Sequence, residues 1–469
     1  MTIPIDIESL DPLFRDVFLN PENGVPDCIS KAGCLVLANL GVNSWNAWRA
    51  KFPVIQVNSY GAYSNTADFS EHDFRGKVVN FSNYIFGDGA RFDSANFGSH
   101  AIFSATLFGD GADFFATVFG DAVRFDNAKF GKSANFLGAE FGDGARFNNA
   151  NFDDHARFAG VNFGIGANFE SASFGHEVRF DGTQFADYAN FNAAVFGDEA
   201  RFVACNWSLL CDIYGKRDST RIPRMKLLAS EKELNPNTFN RITFFGAQFL
   251  GTVDFSGRQF NGQTSFGKFA GVTSTFFGKA PKFHNCKLNQ DTTFDGAIFP
   301  VPEGSDEAAR AYRTLKLAFS QQHAIRQEQR FFKLEMAEEA AGATGFPKFL
   351  YKTYFFCSDY GFSIRRPAIL LVVTLLIMML IYGGLSYLSN CVPNTNSCRL
   401  NTVLIEFSLM QSLPLPGLEK LSDTLRGQLF PNQGLISLGV TVAVILHKSI
   451  SLLALFLIGL AIRNLFKIK

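Results

Sequence analysis

Seven histidines and eight cysteines are the residues of this 469-residue chain best suited to metal binding, redox work or nucleophilic attack. Their spacing supports none of these. His100 and His155 are 55 residues apart, and the other histidines are equally scattered, so all are expected on the surface or in loops. No Cys-x-x-Cys pair offers a zinc or redox site. No P-loop, G-x-S-x-G or H-E-x-x-H segment occurs. Gly-Asp pairs recur at Gly87-Asp88, Gly109-Asp110 and Gly142-Asp143. Such pairs suit calcium-binding β-rolls, but those repeat about every nine residues. No catalytic, cofactor-binding or metal-ligating residue follows from the sequence, and no enzyme activity or cofactor is expected.

The abundant residue is Phe, with 54 copies beside 41 Gly. From Phe81, Phe86, Phe92 and Phe97 onward to Phe202 the steps alternate five and six residues, giving an 11-residue unit; Trp207 extends the series. A small residue stands two positions before each Phe from Phe92 to Phe202, being Ala, Thr or Val throughout from Ala90 to Ala200. An 11-residue apolar repeat can also make a right-handed coiled coil. Gly in nearly every unit opposes that, at about 1 kcal/mol each in a helix. In an extended segment, residues two apart share a side. Short strands that put one Phe and one small residue inward, with Gly-Asp or Gly-x at the corners, fit better. Cys205 and Cys286 fall at the small inward position, so packing accounts for them.

These residues resemble the pentapeptide-repeat proteins. The family pattern of a small residue, Asp or Asn, then Leu or Phe appears as Ala95-Asn96-Phe97, Ala112-Asp113-Phe114, Ala134-Asn135-Phe136, Ala167-Asn168-Phe169 and Ala189-Asn190-Phe191. The resemblance implies a mainly β fold, a right-handed quadrilateral β-helix. Here Phe replaces the commoner Leu, and one residue is added every second face. A coil then takes 22 residues, which predicts that Arg157, Arg179 and Arg201 lie on one face.

The organisation expected is a cap region over 1–66, a β-helix over 67–207, an excursion over 208–240 and a second tract over 241–302. A helical hairpin over 303–343, a juxtamembrane segment over 344–366 and a two-span membrane module over 367–469 follow. The excursion holds the basic run Lys216–Lys226, expected as a solvated loop. Register blurs between Gly267 and Pro281. The segments Gly41–Pro53, with Trp45 and Trp48, and AYRTLK with FFKLEM are similar to those of a membrane-bound subgroup of the family. Physically, the two Trp can cover the open first coil. Ser305 can cap a helix with Asp306 and Glu307 in its first turn, and a QQH turn can fold that helix back over the last coil.

Ala368–Leu388 and Leu435–Ile462 are apolar and long enough to span a bilayer. Arg365 and Arg366 precede the first, and Arg463, Lys467 and Lys469 end the second, which predicts cytoplasmic termini. The lack of an export signal in MTIPIDIESLDPLFRDVF agrees. The loop carrying Cys391 and Cys398 is then external, where a disulfide or two free thiols both remain open. Between the spans, Leu404–Lys420 occupies the place of a re-entrant pore helix. Some pentapeptide proteins carry such an ion-channel-like module, but SLPLPGL at Ser412–Leu418 stands where a potassium filter needs a TVGYG-like run.

Charge is uneven. Residues 80–207 carry 16 acidic and 8 basic side chains, net −8, and residues 342–469 carry 4 acidic and 11 basic, net +7. A basic membrane-proximal region suits anionic lipid. The expected function is a solenoid held at the membrane, in a bacterium the inner membrane, that binds an unnamed protein partner from the cytoplasmic side. The alternative is a pore without potassium selectivity, regulated by the solenoid, with homo-oligomerisation through the spans left open. DNA mimicry needs an acidic face. Here Asp110, Asp121 and Asp143 are interleaved with Arg124 and Arg146, so no nucleic acid is expected.

Overall fold

The computed structural model describes residues 31–56, 63–64, 66–205, 238–268, 273–388, 397–413, 417, 419–430 and 435–466. The chain divides into two compact units, Met1–Glu335 and Met336–Lys469.

The first unit is a parallel β-solenoid of about seven turns. Its coil is 22 residues, as the Phe rhythm predicts. Arg157 pairs with Arg179, and Arg179 with Arg201, in parallel register. Phe92, Phe114, Phe136, Phe158, Phe180 and Phe202 form one column, with successive ring centroids 4.7–4.9 Å apart and planes within 5° of parallel. Three further columns run through Phe81, Phe86 and Phe97. Rings of neighbouring columns meet edge to face, as Phe97 meets Phe103 at 5.2 Å and 81°. Stacking along a column and T-contacts between columns both suit the aromatic quadrupole. Every Phe from Phe81 to Phe202 is at most 4% exposed. The small partners from Ala90 to Ala200 are buried too, because a second ring there would collide with the facing column. Thr106, Thr117 and Thr183 donate their hydroxyls to the carbonyls of Phe81, Phe92 and Phe158 at 2.6–2.7 Å.

The corners revise the expected part of Gly-Asp. Each face between Phe81 and Phe202 ends in one left-handed residue, which is often not glycine: Asn83, Ser94, His100, Ala105, Ala116 and Ala122 all have positive φ. From Gly109 onward the Gly of a Gly-Asp pair has a different task. A Cβ on Gly142 would stand 2.3 Å from Asp121 Oδ1 and 2.7 Å from Asp121 N. Glycine is needed there because the preceding coil lies against it. The Asp that follows accepts a backbone N–H from the next coil: Asp143 N donates to Asp121 Oδ1 at 2.9 Å, and Ile165 N to Asp143 Oδ1 at 2.7 Å.

Two insertions leave the stack intact. The described chain stops at Cys205 and resumes at Thr238. Phe239 pairs with Phe185 in parallel register, so it fills the rung that the sequence series assigns to Trp207. Trp207 and Lys216–Lys226 lie outside the described residues. Further on, Phe277 stacks on Phe249 at 5.2 Å, although it follows by 28 residues and not 22. The blurred register is thus one coil with six extra residues. Phe277 points inward and Phe276 outward.

Both ends are covered. Two short helices, α1 (Lys31–Asn39) and α2 (Val42–Lys51), precede the first coil. Trp45 of α2 is fully buried, 5.3 Å from Phe86 and 5.8 Å from Phe69, and donates its indole N–H to the Ile85 carbonyl at 2.8 Å. At the other end α3 (Asp306–Gln321) is capped by Ser305, whose Oγ accepts from Ala308 N at 3.3 Å. A turn at Gln322–Ala324 leads into α4 (Ile325–Gly342). Phe319 and Phe331 lie edge-on to Phe294 at 6.0 and 5.2 Å. Buried Glu335 ties the hairpin by bonds to Arg313 and Lys316, each at 2.6 Å. Helices α3 and α4 thus cover the last coil.

The second unit is helical: α5 (Gly345–Ser358), α6 (Arg365–Leu388), α7 (Ser397–Ser412), α8 (Glu419–Leu429) and α9 (Leu435–Phe466). Two of these contain stretches long and apolar enough to cross a membrane, Arg365–Leu388 and Ser437–Leu465. The sequence reading assigns no helix to 344–366, where α5 lies. It expects one re-entrant helix over Leu404–Lys420, where the structure has two helices separated by a break that includes Gly417 at φ +96°.

Candidate functional site

The solenoid offers its outer faces. Along one of them Arg157, Arg179 and Arg201 stack one coil apart. On the opposite face, half a coil away, Arg124 and Arg146 both reach Asp126, at 2.8 and 3.1 Å. Arg201 similarly meets Asp181 at 3.3 Å. The guanidiniums remain about half exposed while the carboxylates beneath are nearly buried, so cation and anion ladders are interleaved and no face is uniformly acidic. At surface dielectric such pairs add little stability, typically below about 1 kcal/mol. Their consequence is a rigid array of polar groups at fixed spacing.

Inside, one cation breaks the pattern. Arg258 takes a small inward position, is fully buried and donates to the carbonyls of Phe202, Thr183 and Phe180 at 2.5–2.8 Å. Its guanidinium lies 4.5 Å from the Phe239 ring. Burial brings its pKa down to about 9. It ties the coils on either side of the first insertion, and the sequence reading missed it because a small residue is expected two positions before Phe260.

Among the described residues of the first unit, Cys34, Cys205 and Cys286 are unsuited to nucleophilic or redox work. Burial pushes the Cys34 and Cys286 thiols up to about 12 and Cys205 to about 11. Among the described residues, no group of three or more His, Cys, Asp or Glu side chains is placed to hold a metal ion. His100 and His155 sit at exposed corners with φ of 65° and 64°. Cys391 and the side chain of Cys398 lie outside the described residues.

The helical unit corrects one expectation. His447, expected on a surface or in a loop, is fully buried in α9. Both ring nitrogens are engaged: Nδ1 with Tyr382 Oη of α6 at 3.2 Å, and Nε2 with Ser412 Oγ of α7 at 2.9 Å. Ser408 and Gln411 share the buried face of α7 with Ser412, and Ser451 follows His447 by one turn of α9. Among the described residues, Ser408 Oγ, Gln411 Oε1 and Ser451 Oγ are buried with no hydrogen-bond partner. The sequence signal was His447-Lys448 interrupting an apolar run, but the partners come from two other helices. Ser412 also opens the SLPLPGL segment that stands in place of a potassium filter.

Residues 114–162 match the family model described as pentapeptide repeats (9 copies). No curated protein and no solved structure matches the chain. With the 22-residue coil, the inward Phe and the small residue two before it, the repeat tract of this chain is a pentapeptide-repeat solenoid, followed by a helical unit with two apolar helices long enough to cross a membrane.

Proposed function

We propose that this chain is a membrane-anchored scaffold whose solenoid stands on the cytoplasmic side and presents its outer ladders to a protein partner. One observation carries the reading. Both ends of the coil are capped and its interior is filled by stacked rings, so the lateral faces are what it offers. Solenoids of this type are commonly interaction scaffolds. Basic residues at Arg365, Arg366 and Arg463, at the outer ends of both apolar helices, favour cytoplasmic termini. The test is cross-linking and affinity purification from membranes, comparing the wild type with an Arg157→Glu, Arg179→Glu, Arg201→Glu variant shown to be folded by circular dichroism. A partner lost from the variant supports the reading, and an unchanged partner set moves binding off this ladder. Sidedness is read in intact cells with an impermeant maleimide. Cys391 and Cys398 should label, after reduction if they are bridged, and a Tyr188→Cys reporter on the exposed solenoid corner should not.

A second reading, a pore regulated by the solenoid, is favoured by the Tyr382–His447–Ser412 centre. Ionisable groups between membrane helices commonly mark ion or proton pathways. Ion flux into vesicles that depends on the reconstituted chain and is lost with His447→Leu supports it. Equal flux with and without protein removes it.

A further inference from the structure

Helix α5 belongs neither to the repeat nor to the two apolar helices. Phe346, Phe349, Leu350 and Phe356 are spaced at i, i+3, i+4 and i+10, one side of a helix. They are 70%, 62%, 51% and 77% exposed. Four large apolar side chains on one side are too much to leave in water without an occupant. Lys348 falls on the other side of the helix, and Lys352 flanks the apolar side, three residues after Phe349 and four before Phe356. Residues 344–366 contain four cations, these two with Arg365 and Arg366, against one carboxylate, Asp359.

The turn after α5 fixes its place. Asp359, Tyr360 and Gly361 are three consecutive left-handed residues, at φ of 51°, 57° and 83°. The turn is closed by Ser358, whose Oγ accepts from Gly361 N at 3.0 Å and whose carbonyl accepts from Ser363 N at 2.9 Å. Arg366 reaches back from the first turn of α6 to the Phe355 carbonyl at 2.6 Å, with its guanidinium 4.8 Å from the Phe355 ring. Asn464, at the far end of α9, donates to the Gly361 carbonyl at 3.0 Å. The end of α5 is thus pinned where one apolar helix begins and the other ends, a level that also carries Arg463. Membrane spans exchange hydrocarbon for headgroups at such a level, where aromatic and basic side chains concentrate.

We propose that α5 is an interfacial helix that lies on the bilayer, with Phe346, Phe349, Leu350 and Phe356 among the upper acyl chains and its lysines against anionic headgroups. The charge and the continuity with both spans select a lipid surface as the occupant. The proposal rests on the membrane-anchored reading above.

The test uses the full chain in vesicles of phosphatidylcholine, with or without phosphatidylglycerol. A photoreactive p-benzoylphenylalanine replaces Phe349 in one sample and Leu376, within α6, in another. Lipid adducts at both positions are expected. An adduct at 376 but none at 349 overturns the proposal and leaves the anchoring intact, whereas none at 376 overturns both. The yield at 349 should rise severalfold with phosphatidylglycerol, and Lys348→Gln with Lys352→Gln should remove that rise, since each cation near such a surface is worth about fivefold in affinity. Equal yields in both lipid mixtures overturn the anionic preference.

Discussion

Gly142 and Gly144 lie two residues apart at one corner, and replacing each by Ala should have opposite consequences to those that turn chemistry suggests. Gly144 has φ +69° and no atom within 4 Å of an added Cβ. Ala105, Ala116, Ala122 and Ala193 already hold such left-handed corners. Gly144→Ala should therefore cost only about 1 kcal/mol of backbone strain. Gly142 has ordinary backbone, where Ala would normally stabilise by about 0.4–1 kcal/mol through the unfolded state. Its added Cβ, however, meets Asp121 Oδ1 at 2.3 Å, Asp121 N at 2.7 Å and the Gly120 carbonyl carbon at 2.8 Å. Two of those atoms are backbone and cannot swing aside. The coils must part locally, which weakens the bonds from Gly142 N to the Phe119 carbonyl, 3.0 Å, and from Asp143 N to Asp121 Oδ1, 2.9 Å. Overpacking of about 1–3 kcal/mol and partial loss of two hydrogen bonds at about 1 kcal/mol each give roughly 2–4 kcal/mol. Hydrogen exchange on the full chain in detergent, resolved to peptides spanning residues 119–165, measures the local opening free energy. A Gly142→Ala protein as well protected as Gly144→Ala would show that the corner glycines serve conformation, and the contact argument would fail.

The remaining expectations concern the core, the cap and acid. Phe147 stacks between Phe125 at 5.0 Å and Phe169 at 4.7 Å; Phe147→Ala should cost about 3–5 kcal/mol, and Phe147→Asp should unfold the tract by burying an unpaired charge, with a fully folded circular dichroism spectrum for the Asp variant counting against the stacked core. Trp45→Ala should expose Phe69 and Phe86 and raise dye binding at the first coil without loss of protection near Phe185, because each coil contacts only its neighbours; uniform loss along the solenoid would contradict that independence. Asp198, held down to about 2 by the backbone N–H of Thr252 at 2.6 Å, has a folded pKa below its ordinary 3.8. Its stabilising contribution is complete above that ordinary value and disappears as pH falls through about 2. Acid unfolding near the first insertion, followed by exchange between pH 4 and 2, should therefore be less steep in Asp198→Asn, and an unchanged slope would exclude this carboxylate as a cause.

Much was legible because the solenoid is quasi-one-dimensional. A Phe every five or six residues with a small partner two before it leaves one arrangement that buries every ring, so coil length, stacking columns and the face shared by Arg157, Arg179 and Arg201 follow from spacing alone. The helix over the last coil was readable from Ser305 and its acidic first turn, and the two apolar helices from length and composition. Other features depended on contacts between residues far apart in the chain. The need for glycine at 142 comes from the coil beneath it, not from its own backbone. Phe239 fills the rung after Phe185 because register is decided by the stack it rejoins, and Arg258 finds its three carbonyls on coils that precede the insertion. His447 acquires Tyr382 and Ser412 only when three helices pack together. The sequence determined what repeats, since a periodic pattern is a local property; the tertiary structure decided what the exceptions touch, since hydrogen bonds and steric contacts are made between neighbours in space.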